Sequence, residues 1–427
     1  MIQTYFTPKR SQWEAFIKRP VMDEQQLTAS VTSILNEVRE KGDEALFRYT
    51  QLFDGVRLEG IQVTDTEIET AIAQTPKALK DAIAIAYENI MRFHKTQQLK
   101  EASIETAPGV QCWRKAVAIE KVGLYIPGGS APLFSSILML GIPAKIAGCK
   151  EVVLCTPPNQ DQVLHPAILY TAQLVGISKI FKVGGAQAVA AMAYGTATIP
   201  KVYKIFGPGN QYVTKAKEII QQEGVAIDMP AGPSEVLVIA DDTCKPAFVA
   251  ADLLSQAEHG ADSQVILLSD DQTVVQQCND EIAKQLPKLP RKDIILEALK
   301  NSKAIVLESI EACFELSNAY APEHLIIASE RAMKWLDGIK NAGSVFVGNY
   351  SCESAGDYAS GTNHTLPTNG YAKSYSGVSV DSFVKKITFQ KVSKEGIQNI
   401  GNAIEILAEA EALIAHKNAV SLRLNEE

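Results

Sequence analysis

The feature that most constrains the fold is an alternation of short, β-branched apolar runs with helical segments in the middle of the chain. Runs of this kind lie at residues 152–155, 180–183 and 202–206, and helical spacing fills residues 167–175 and 186–194 between them. Each unit of roughly 25 residues therefore predicts a strand, a helix and a strand. Units of this kind form parallel sheets with right-handed crossovers.

A second series of apolar runs predicts a second α/β domain, with strands at residues 236–239, 265–268, 304–307, 325–327 and 345–347. The first hundred residues carry long amphipathic patterns instead, at 27–50 and 64–99, and we expect them to be mostly helical. Another helical pattern at 396–424 follows a polar stretch rich in Gly and Ser at 370–382. It predicts a small C-terminal module or arm.

Composition excludes several classes of protein. With 427 residues, 46% hydrophobic and 21% charged, the chain has the balance of a soluble globular protein. The net charge of -8 provides no general attraction to nucleic acid or anionic lipid, so we expect neither as a partner. No run of about 18 apolar residues predicts a membrane span. The most apolar stretch is interrupted by Gly141, Pro143 and Lys145.

The cysteines and the N-terminus indicate the compartment. The first ten residues lack the apolar stretch of a signal peptide. Seven cysteines, without any Cys-x-x-Cys pair, favour neither a disulfide framework nor a thiolate zinc site. We therefore expect a reducing cytoplasm.

Three glycine turns predict a ligand crevice. Residues 207–210, Gly-Pro-Gly-Asn, follow a predicted strand and open a helical pattern, where a phosphate can meet free backbone N–H groups. Tyr212 stands where a dinucleotide fingerprint needs a small residue, so a tight turn without a ligand is an alternative. The turns at 127–130 and 184–187 also end predicted strands of the same domain. Together the three favour a site at the carboxyl ends of these strands.

Gln256 and His259 suit a metal site. If Gly260 caps a helix here, the two side chains lie one turn apart on the same face and can chelate a cation. The alternative is that His259 only interacts with the helix dipole.

Glu323 and His324 form an adjacent acid and base just before a predicted strand. Neighbouring groups with different pKa values suit a reaction with two separate proton transfers. A solvated turn is the alternative.

Two further pairs of polar residues stand out. Asp357 and His364 lie in a loop of small residues, which lets a ligand approach the backbone closely. Glu411 and His416 lie five apart, roughly 140° around a continuous helix. They can share one site only if the helix ends or bends between them.

Seven segments together resemble the histidinol dehydrogenase family. They read GLYIPGG at 123–129, FGPGN at 206–210, DMPAGPSE at 228–235, SQAEHG at 255–260, PEH at 322–324, AGDYASGTNH at 355–364 and AHKNA at 415–419. They occur in order from about residue 120 to the C-terminus. The first hundred residues resemble the family in length and helical character.

The resemblance implies a role for individual residues. It implies that Gln256, His259, Asp357 and His416 hold a zinc ion, and that Glu323 and His324 are the acid/base pair. It implies substrate contacts from Ser234, Gln256, His259, His324, Asp357, His364, Glu411 and His416, and NAD contacts from Tyr125, Gln187 and Asn210. It also implies a homodimer in which the C-terminal arm reaches the partner's active site, which would let the arm tip present both Glu411 and His416.

The implied activity is the zinc-dependent oxidation of L-histidinol through L-histidinal to L-histidine with two NAD, the last step of histidine biosynthesis. The expected fold is α/β, with two Rossmann-like parallel-sheet domains in an aldehyde-dehydrogenase-like architecture and small helical N- and C-terminal modules. The predicted division is 1–22 as an N-terminal helical segment, 23–124 with 238–378 as the first α/β domain, 125–237 as the NAD-side domain, and 379–427 as the arm.

Other functions stay open on the residues alone. One is a zinc and NAD dehydrogenase for another small polar alcohol, although His364 and Glu411 argue against it. A zinc hydrolase in which Glu323 activates water is a second, and a non-catalytic nucleotide-binding subunit is a third. Cys352, close in sequence to Asp357, is the one cysteine placed to form a thiohemiacetal, but addition of water makes a thiol unnecessary.

Overall fold

A computed structural model of the chain describes residues 2–19, 24–98, 101–128, 131–230 and 232–426. The strands are β1 (Gln3–Phe6), β2 (Ile104–Ala107), β3 (Val110–Ala118), β4 (Lys121–Tyr125), β5 (Glu151–Thr156), β6 (Lys179–Lys182), β7 (Lys204–Phe206), β8 (Ala226–Ile227), β9 (Glu235–Ala240), β10 (Gln264–Ser269), β11 (Lys303–Val306), β12 (His324–Ala328), β13 (Ser344–Val347) and β14 (Val384–Val392). The helices are α1 (Trp13–Phe16), α2 (Glu24–Lys41), α3 (Asp43–Tyr49), α4 (Asp65–Gln74), α5 (Lys77–Lys95), α6 (Phe134–Ala147), α7 (Pro166–Val175), α8 (Gly185–Tyr194), α9 (Gln211–Gln222), α10 (Pro246–Ala257), α11 (Gln272–Gln285), α12 (Lys292–Lys300), α13 (Ile310–Tyr320), α14 (Glu353–Tyr358), α15 (Lys394–Ala410) and α16 (Ile414–Leu424).

A six-stranded parallel sheet has the strand order β1-β11-β10-β9-β12-β13. In the centre, Leu237 pairs with Ile266 on one side and Leu325 on the other. Its central strands are continuous apolar runs because both faces are covered, by α10 to α12 on one side and α13 on the other.

A five-stranded parallel sheet has the order β6-β5-β4-β7-β8. Helices α2, α3, α8 and α9 pack on one face, and α5, α6 and α7 pack on the other. The predicted α/β class with two parallel sheets is therefore confirmed. Each strand and helix that the apolar runs predicted in the middle of the chain is present, with bounds that differ by a few residues.

The predicted N-terminal helical segment needs correction. Residues 3–6 form β1, an edge strand that pairs in parallel with β11, and α1 is only a single turn. The strand is too short to show a period in the sequence, and it exists because β11 offers it an unpaired edge. Met1 and residues 20–22 of this predicted segment lie outside the described residues.

Two of the predicted domain boundaries fall within strands. The boundary at 124/125 lies inside β4, and the one at 237/238 lies inside β9. Helices α2 to α5 pack on the five-stranded sheet, and α5 also contacts the loop after α14, where the Asn89 amide donates to the Ala359 carbonyl at 2.9 Å. We therefore propose a different division, with residues 24–98 and 119–234 around the five-stranded sheet and residues 2–19 and 235–378 around the six-stranded sheet.

A third sheet, which the sequence patterns did not predict, joins distant parts of the chain. Strands β2, β3 and β14 pair antiparallel in the order β14-β3-β2, and Phe389 stacks on Trp113 with ring centroids 5.4 Å apart. The predicted helical arm of residues 379–427 thus begins with a strand. Ile387 and Phe389 alternate with polar residues there, a period-two signal that could have revealed the strand.

The two parallel sheets line one cleft, the five-stranded sheet with the carboxyl ends of its strands and the six-stranded sheet with the amino ends of its strands. The loops after β4 and β7, at the carboxyl ends of their strands, line it from the five-stranded sheet. The six-stranded sheet contributes residues at the amino ends of β9, β10 and β12. Within the described part of the chain, no helix is both long and apolar enough to cross a membrane.

Candidate active site

The cleft between the two sheets has a volume of about 320 Å³. Eight of the residues predicted to be functional line it, namely Ser234, Gln256, His259, Glu323, His324, Asp357, His364 and Asn210. They come from both halves of the chain and are brought together only by the fold. Tyr125, Gln187, Glu411 and His416 are not among its lining residues.

Glu323 and His324 stand at the amino end of β12, and both side chains are buried. The backbone N–H of Glu235 donates to Glu323 Oε2 at 2.9 Å, and His324 Nδ1 lies 3.1 Å from the backbone oxygen of Glu235. Because a carbonyl oxygen can only accept, Nδ1 carries the proton, and Nε2 has the free lone pair. That Nε2 atom is buried, has no hydrogen-bond partner among the described residues, and lies 3.9 Å from Asp357 Oδ1.

Burial shifts the pKa of both members of this pair. It lowers the pKa of His324 to about 3, so the imidazole is neutral at physiological pH and can accept a proton. It raises the pKa of the Glu323 carboxyl well above its usual value, and the nearby carboxylates of Glu235 and Asp357 act in the same direction. A cation bound next to Glu323 would lower the pKa of that carboxyl again.

A cluster that could hold a metal ion lies next to this pair. One ligand atom from each of His259, Glu353 and Asp357 falls within 4.8 Å of the other two. Gln256 is fully buried in the last turn of α10, and its amide nitrogen, in the orientation that satisfies both groups, donates to the Glu353 carboxylate. A set of one imidazole nitrogen and several oxygens suits zinc. Three of the four predicted ligands therefore come together, and their chemistry fits the predicted ion.

The helix that carries Gln256 ends earlier than predicted. Helix α10 stops at Ala257, Glu258 is its C-cap, and Gly260 lies beyond it. His259 consequently follows the helix instead of lying on its face. Its backbone N–H still bonds to the Gln256 carbonyl at 3.2 Å, which keeps the two residues at the same end of α10.

Glu353 is a site residue that the sequence patterns missed. Its side chain is 1% exposed at the first position of α14, and burial raises its pKa well above the usual value, with Asp357, Glu323 and Asp252 adding to the shift. From the sequence alone, a single Glu beside a loop of small residues is expected to be exposed to solvent. Only its enclosure by other elements reveals that it is buried.

His364 connects the two sides of the cleft. Its Nδ1 donates to the backbone oxygen of Asp357 at 3.0 Å, and its Nε2 accepts from the Ser136 hydroxyl at 3.1 Å. Ser136 belongs to α6 and was not singled out in the sequence. Burial lowers the pKa of His364 to about 4, so this bridge uses a neutral imidazole.

Glu411 and His416 lie on the C-terminal arm, and both are exposed. Helix α15 ends at Ala410, Ala412 has a positive φ of 58°, and α16 begins at Ile414. The helix therefore ends between the two residues, as a shared site would require. Neither residue lines the cleft of its own chain.

The three residues predicted to contact NAD surround the glycine turns. Tyr125 is buried at the end of β4, and its hydroxyl accepts from the Gly185 N–H at 3.1 Å. Gln187 is also buried, and its Oε1 atom has no partner among the described residues. Asn210 caps α9, with its Oδ1 atom accepting from the N–H groups of two residues in the first turn. The predicted turn and helix at 207–222 are thereby confirmed.

Gly207 shows why one of these turns needs glycine. It has a φ of +128°, and a Cβ at this position would overlap the carbonyl oxygen of Tyr125. The turn thus lies directly against the end of β4. Gly129 and Ser130, in the turn predicted at 127–130, lie outside the described residues.

The fold and the cleft define an α/β protein with the groups of a proton-transferring enzyme. A neutral imidazole, a buried carboxyl and a cluster suited to a cation face glycine turns at the carboxyl ends of a parallel sheet.

Comparison with known proteins identifies the family. A family model for histidinol dehydrogenase matches residues 17–424. A histidinol dehydrogenase of Bacteroides thetaiotaomicron is 56% identical over 418 residues, which cover 98% of each chain, and one of Yersinia pestis is 52% identical over 97% of this chain and 93% of its own. The crystal structure of histidinol dehydrogenase from Elizabethkingia anophelis superimposes with a TM-score of 0.96 at 60% identity, covering 99% of this chain and 98% of that one. The chain belongs to the histidinol dehydrogenase family and is an oxidoreductase, which confirms the resemblance found in the sequence.

Proposed function

We propose that this protein oxidises L-histidinol through L-histidinal to L-histidine, with zinc bound in the cleft and two NAD as acceptors. This is the last step of histidine biosynthesis, and we propose that it takes place in the cytoplasm, where the seven free cysteines stay reduced. The observation that carries the proposal is the hydrogen bonding of the two imidazole nitrogens of His324. Its Nδ1 atom is held by a backbone carbonyl, and its free Nε2 atom faces the cation cluster.

Gln256, His259 and Asp357 would hold the zinc ion, with His416 as the fourth ligand. When bound, zinc would orient the substrate by accepting its amino and imidazole nitrogens as further ligands. Glu353 keeps the Gln256 amide in place through its hydrogen bond. Four protein ligands exceed the three of most catalytic zinc sites, so the role is one of orientation.

The acid/base steps fall to the adjacent pair. His324 Nε2 takes the hydroxyl proton of the alcohol in the first oxidation. Glu323 then takes a proton from the water that adds to the aldehyde carbon and returns it to the aldehyde oxygen, which gives the hydrate. His324 releases its first proton to solvent and takes the hydroxyl proton of this hydrate in the second oxidation. Each transfer contributes about 10²–10⁴ in rate.

The remaining cleft residues bind and orient the two organic ligands. Ser234, His364 and Glu411 would contact the substrate together with the metal ligands and His324. Tyr125, Gln187 and Asn210 would contact NAD, which when bound supplies the hydride acceptor for each oxidation. The unpartnered, buried Oε1 of Gln187 supports this assignment, because a buried acceptor without a donor is costly unless a ligand supplies one.

The protein would act as a homodimer in which each C-terminal arm enters the partner's cleft. Two observations support this. Glu411 and His416 lie away from the cleft of their own chain, and the arm exposes large apolar side chains, Ile406, Leu407, Ile414 and Leu422. An exposed apolar surface of this kind marks an interaction site.

The test is an assay of the purified protein with histidinol and excess NAD, with and without a chelator. We expect two NADH for each histidinol consumed, loss of the activity on chelation, and recovery when zinc is restored. A yield of one NADH would show that the reaction stops at the aldehyde. Absence of any NADH would contradict the proposal and favour the zinc hydrolase.

A further inference from the structure

Arg19, in the N-terminal segment, makes an ion pair deep in the protein. Its Nε and Nη2 atoms bond to the two carboxylate oxygens of Glu235 at 2.5 and 2.8 Å. The Nη2 atom also donates to the Tyr320 carbonyl at 2.9 Å, and the guanidinium lies 3.9 Å from the centre of the Tyr320 ring. The side chains of Arg19 and Glu235 are 14% and 3% exposed. The two residues therefore form a bidentate salt bridge that is largely buried.

These contacts meet at the amino ends of β9 and β12. Glu235 is the first residue of β9, and Tyr320 ends α13, three residues before Glu323. The Glu235 carboxylate also accepts from the Asn369 N–H at 2.8 Å. One carboxylate is thus held from two sides, by the N-terminal segment and by the loop that follows His364.

The backbone of Glu235 contacts both members of the acid/base pair. Its N–H donates to Glu323 Oε2, and its carbonyl oxygen accepts from His324 Nδ1. A shift of this one peptide segment would therefore move the Glu323 carboxyl and release the Nδ1 proton of His324.

We propose that Arg19, acting through Glu235, is a positioning residue that keeps Glu323 and His324 in their working geometry and keeps the His324 proton on Nδ1. This inference rests on the proposed roles of Glu323 and His324. The physical reason is the planar guanidinium, which fixes Glu235 with two parallel hydrogen bonds and the Tyr320 carbonyl with a third. A lysine, with a single ammonium on a flexible stem, cannot hold both partners in the same way.

A second arginine–carboxylate pair, whose arginine side chain is 52% exposed, provides a control at the opposite ends of the same two strands. Arg331 bonds to Asp241 Oδ2 through Nε at 3.1 Å and Nη2 at 2.8 Å, just beyond the carboxyl ends of β9 and β12. Ser329 donates to the same oxygen at 2.6 Å. This arginine–aspartate pair joins the same two strands, and among the described residues it forms no hydrogen bond with one that lines the cleft.

The experiment compares Arg19→Met with Arg331→Met in the zinc-loaded dimer, by kcat and KM for histidinol, zinc content and melting temperature. Loss of the working geometry costs about 10²-fold in rate, so we expect kcat of R19M to fall by about that factor with KM and zinc content unchanged. We expect R331M to melt at a lower temperature with wild-type kcat. Equal kcat values for the two variants would overturn the inference.

Two smaller substitutions test the positioning role of Arg19 even if R19M does not fold. Arg19→Lys keeps the charge and loses the two-pronged contact, and Glu235→Gln keeps the shape and loses the charge. We expect about a tenfold loss of kcat in each, at a melting temperature close to that of the wild type. Wild-type kcat in R19K would overturn the inference.

A readout without turnover separates this inference from the proposed function. Nitrogen-15 NMR of histidine-labelled protein distinguishes the two imidazole tautomers, and the signals missing in His324→Gln identify His324 among the six histidines. We expect the Nδ1-protonated tautomer in the wild type and a mixture in R19M. A wholly Nδ1-protonated His324 in R19M would overturn the inference, whether or not the wild type oxidises histidinol.

Discussion

His324 Nδ1 lies 3.1 Å from the backbone oxygen of Glu235, at the point where β9 and β12 begin side by side. A single hydrogen bond to the main chain thus determines which imidazole nitrogen is free to take a proton. The same residue, through its N–H, bonds to the Glu323 carboxyl. The proposed acid and base are therefore oriented by one peptide segment, and the predictions below test what each group around it does.

Glu323→Gln should slow the aldehyde step much more than the alcohol step, because only the second needs a carboxylate to activate water. We expect a loss of about 10²–10⁴ for oxidation of histidinal and a much smaller loss for histidinol. Single-turnover formation of NADH from each substrate measures the two. The control is Glu330→Gln, which replaces an exposed glutamate and should leave both rates unchanged. Equal losses in both steps of the Glu323→Gln variant would show that the role given to Glu323 is wrong.

Glu353→Gln should weaken zinc binding while leaving the three predicted in-chain ligands intact. A bound cation favours the charged form of Glu353, so the substitution removes the charged partner of the Gln256 amide in the zinc-loaded site. Loss of a partner outside the ligand set typically costs 10–100-fold in metal affinity. Competition with a chelator measures the affinity. The control is Asp262→Asn, which changes the charge of a cleft residue outside the cluster and should leave the zinc affinity unchanged. An unchanged zinc affinity in E353Q would show that Glu353 does not support the metal site.

Asp252→Asn should stabilise the metal-free protein increasingly as the pH rises from 4 to 8. Burial raises the pKa of the Asp252 carboxyl to about 7, above its ordinary value of 3.8. The folded state therefore binds this proton more tightly, and the stability that it contributes is lost as the pH rises through about 7. Asparagine has no charge to bury, so the difference between pH 4 and pH 8 should reach about 4 kcal/mol. Denaturant unfolding at several pH values measures it, and a difference that does not change with pH would contradict the shifted pKa.

Exchange of the C-terminal arms can be tested by mixing two inactive variants, His416→Asn and His324→Gln. In a mixed dimer with exchanged arms, the chain with an intact His324 receives the partner's intact His416 and forms one complete site. Random mixing should then restore about a quarter of the wild-type activity, since half of the dimers are mixed and each has one complete site. An arm that served its own chain would leave both sites of the mixed dimer defective, so no recovery would contradict the exchange.

Much of the fold could be predicted because its strands are local, continuous apolar runs. Residues 236–239 and 265–268 are apolar throughout, as strands buried on both faces must be, and they form the middle of the six-stranded sheet. Strand β1 could not be predicted, because a four-residue strand exists only through the edge of β11. The exposed strand β14 carried an alternating pattern that is weaker than a continuous run.

For the site, the resemblance to a family supplied the roles of single residues. The sequence patterns alone also allowed a purely structural role for the same residues, such as a tight turn or a solvent-exposed turn. Gln256 and His259 were expected on one helix face, but the helix ends at Ala257, so Gln256 reaches the cleft from the last turn of α10 and His259 from the residues that follow it. Glu353 and Ser136 had no local signal at all. Their importance comes from partners more than two hundred positions away or from elements that fold over them.

The amino-acid sequence by itself determined the two parallel sheets, the glycine turns and the residue types available for chemistry, because these depend on contacts and periods of a few residues. Only the tertiary structure decided that Arg19 meets Glu235 across 216 positions, that Glu353 is buried, and which nitrogen of His324 is free. The reason is that burial and hydrogen-bond partners depend on which distant segments are packed against each other. No local pattern records that arrangement.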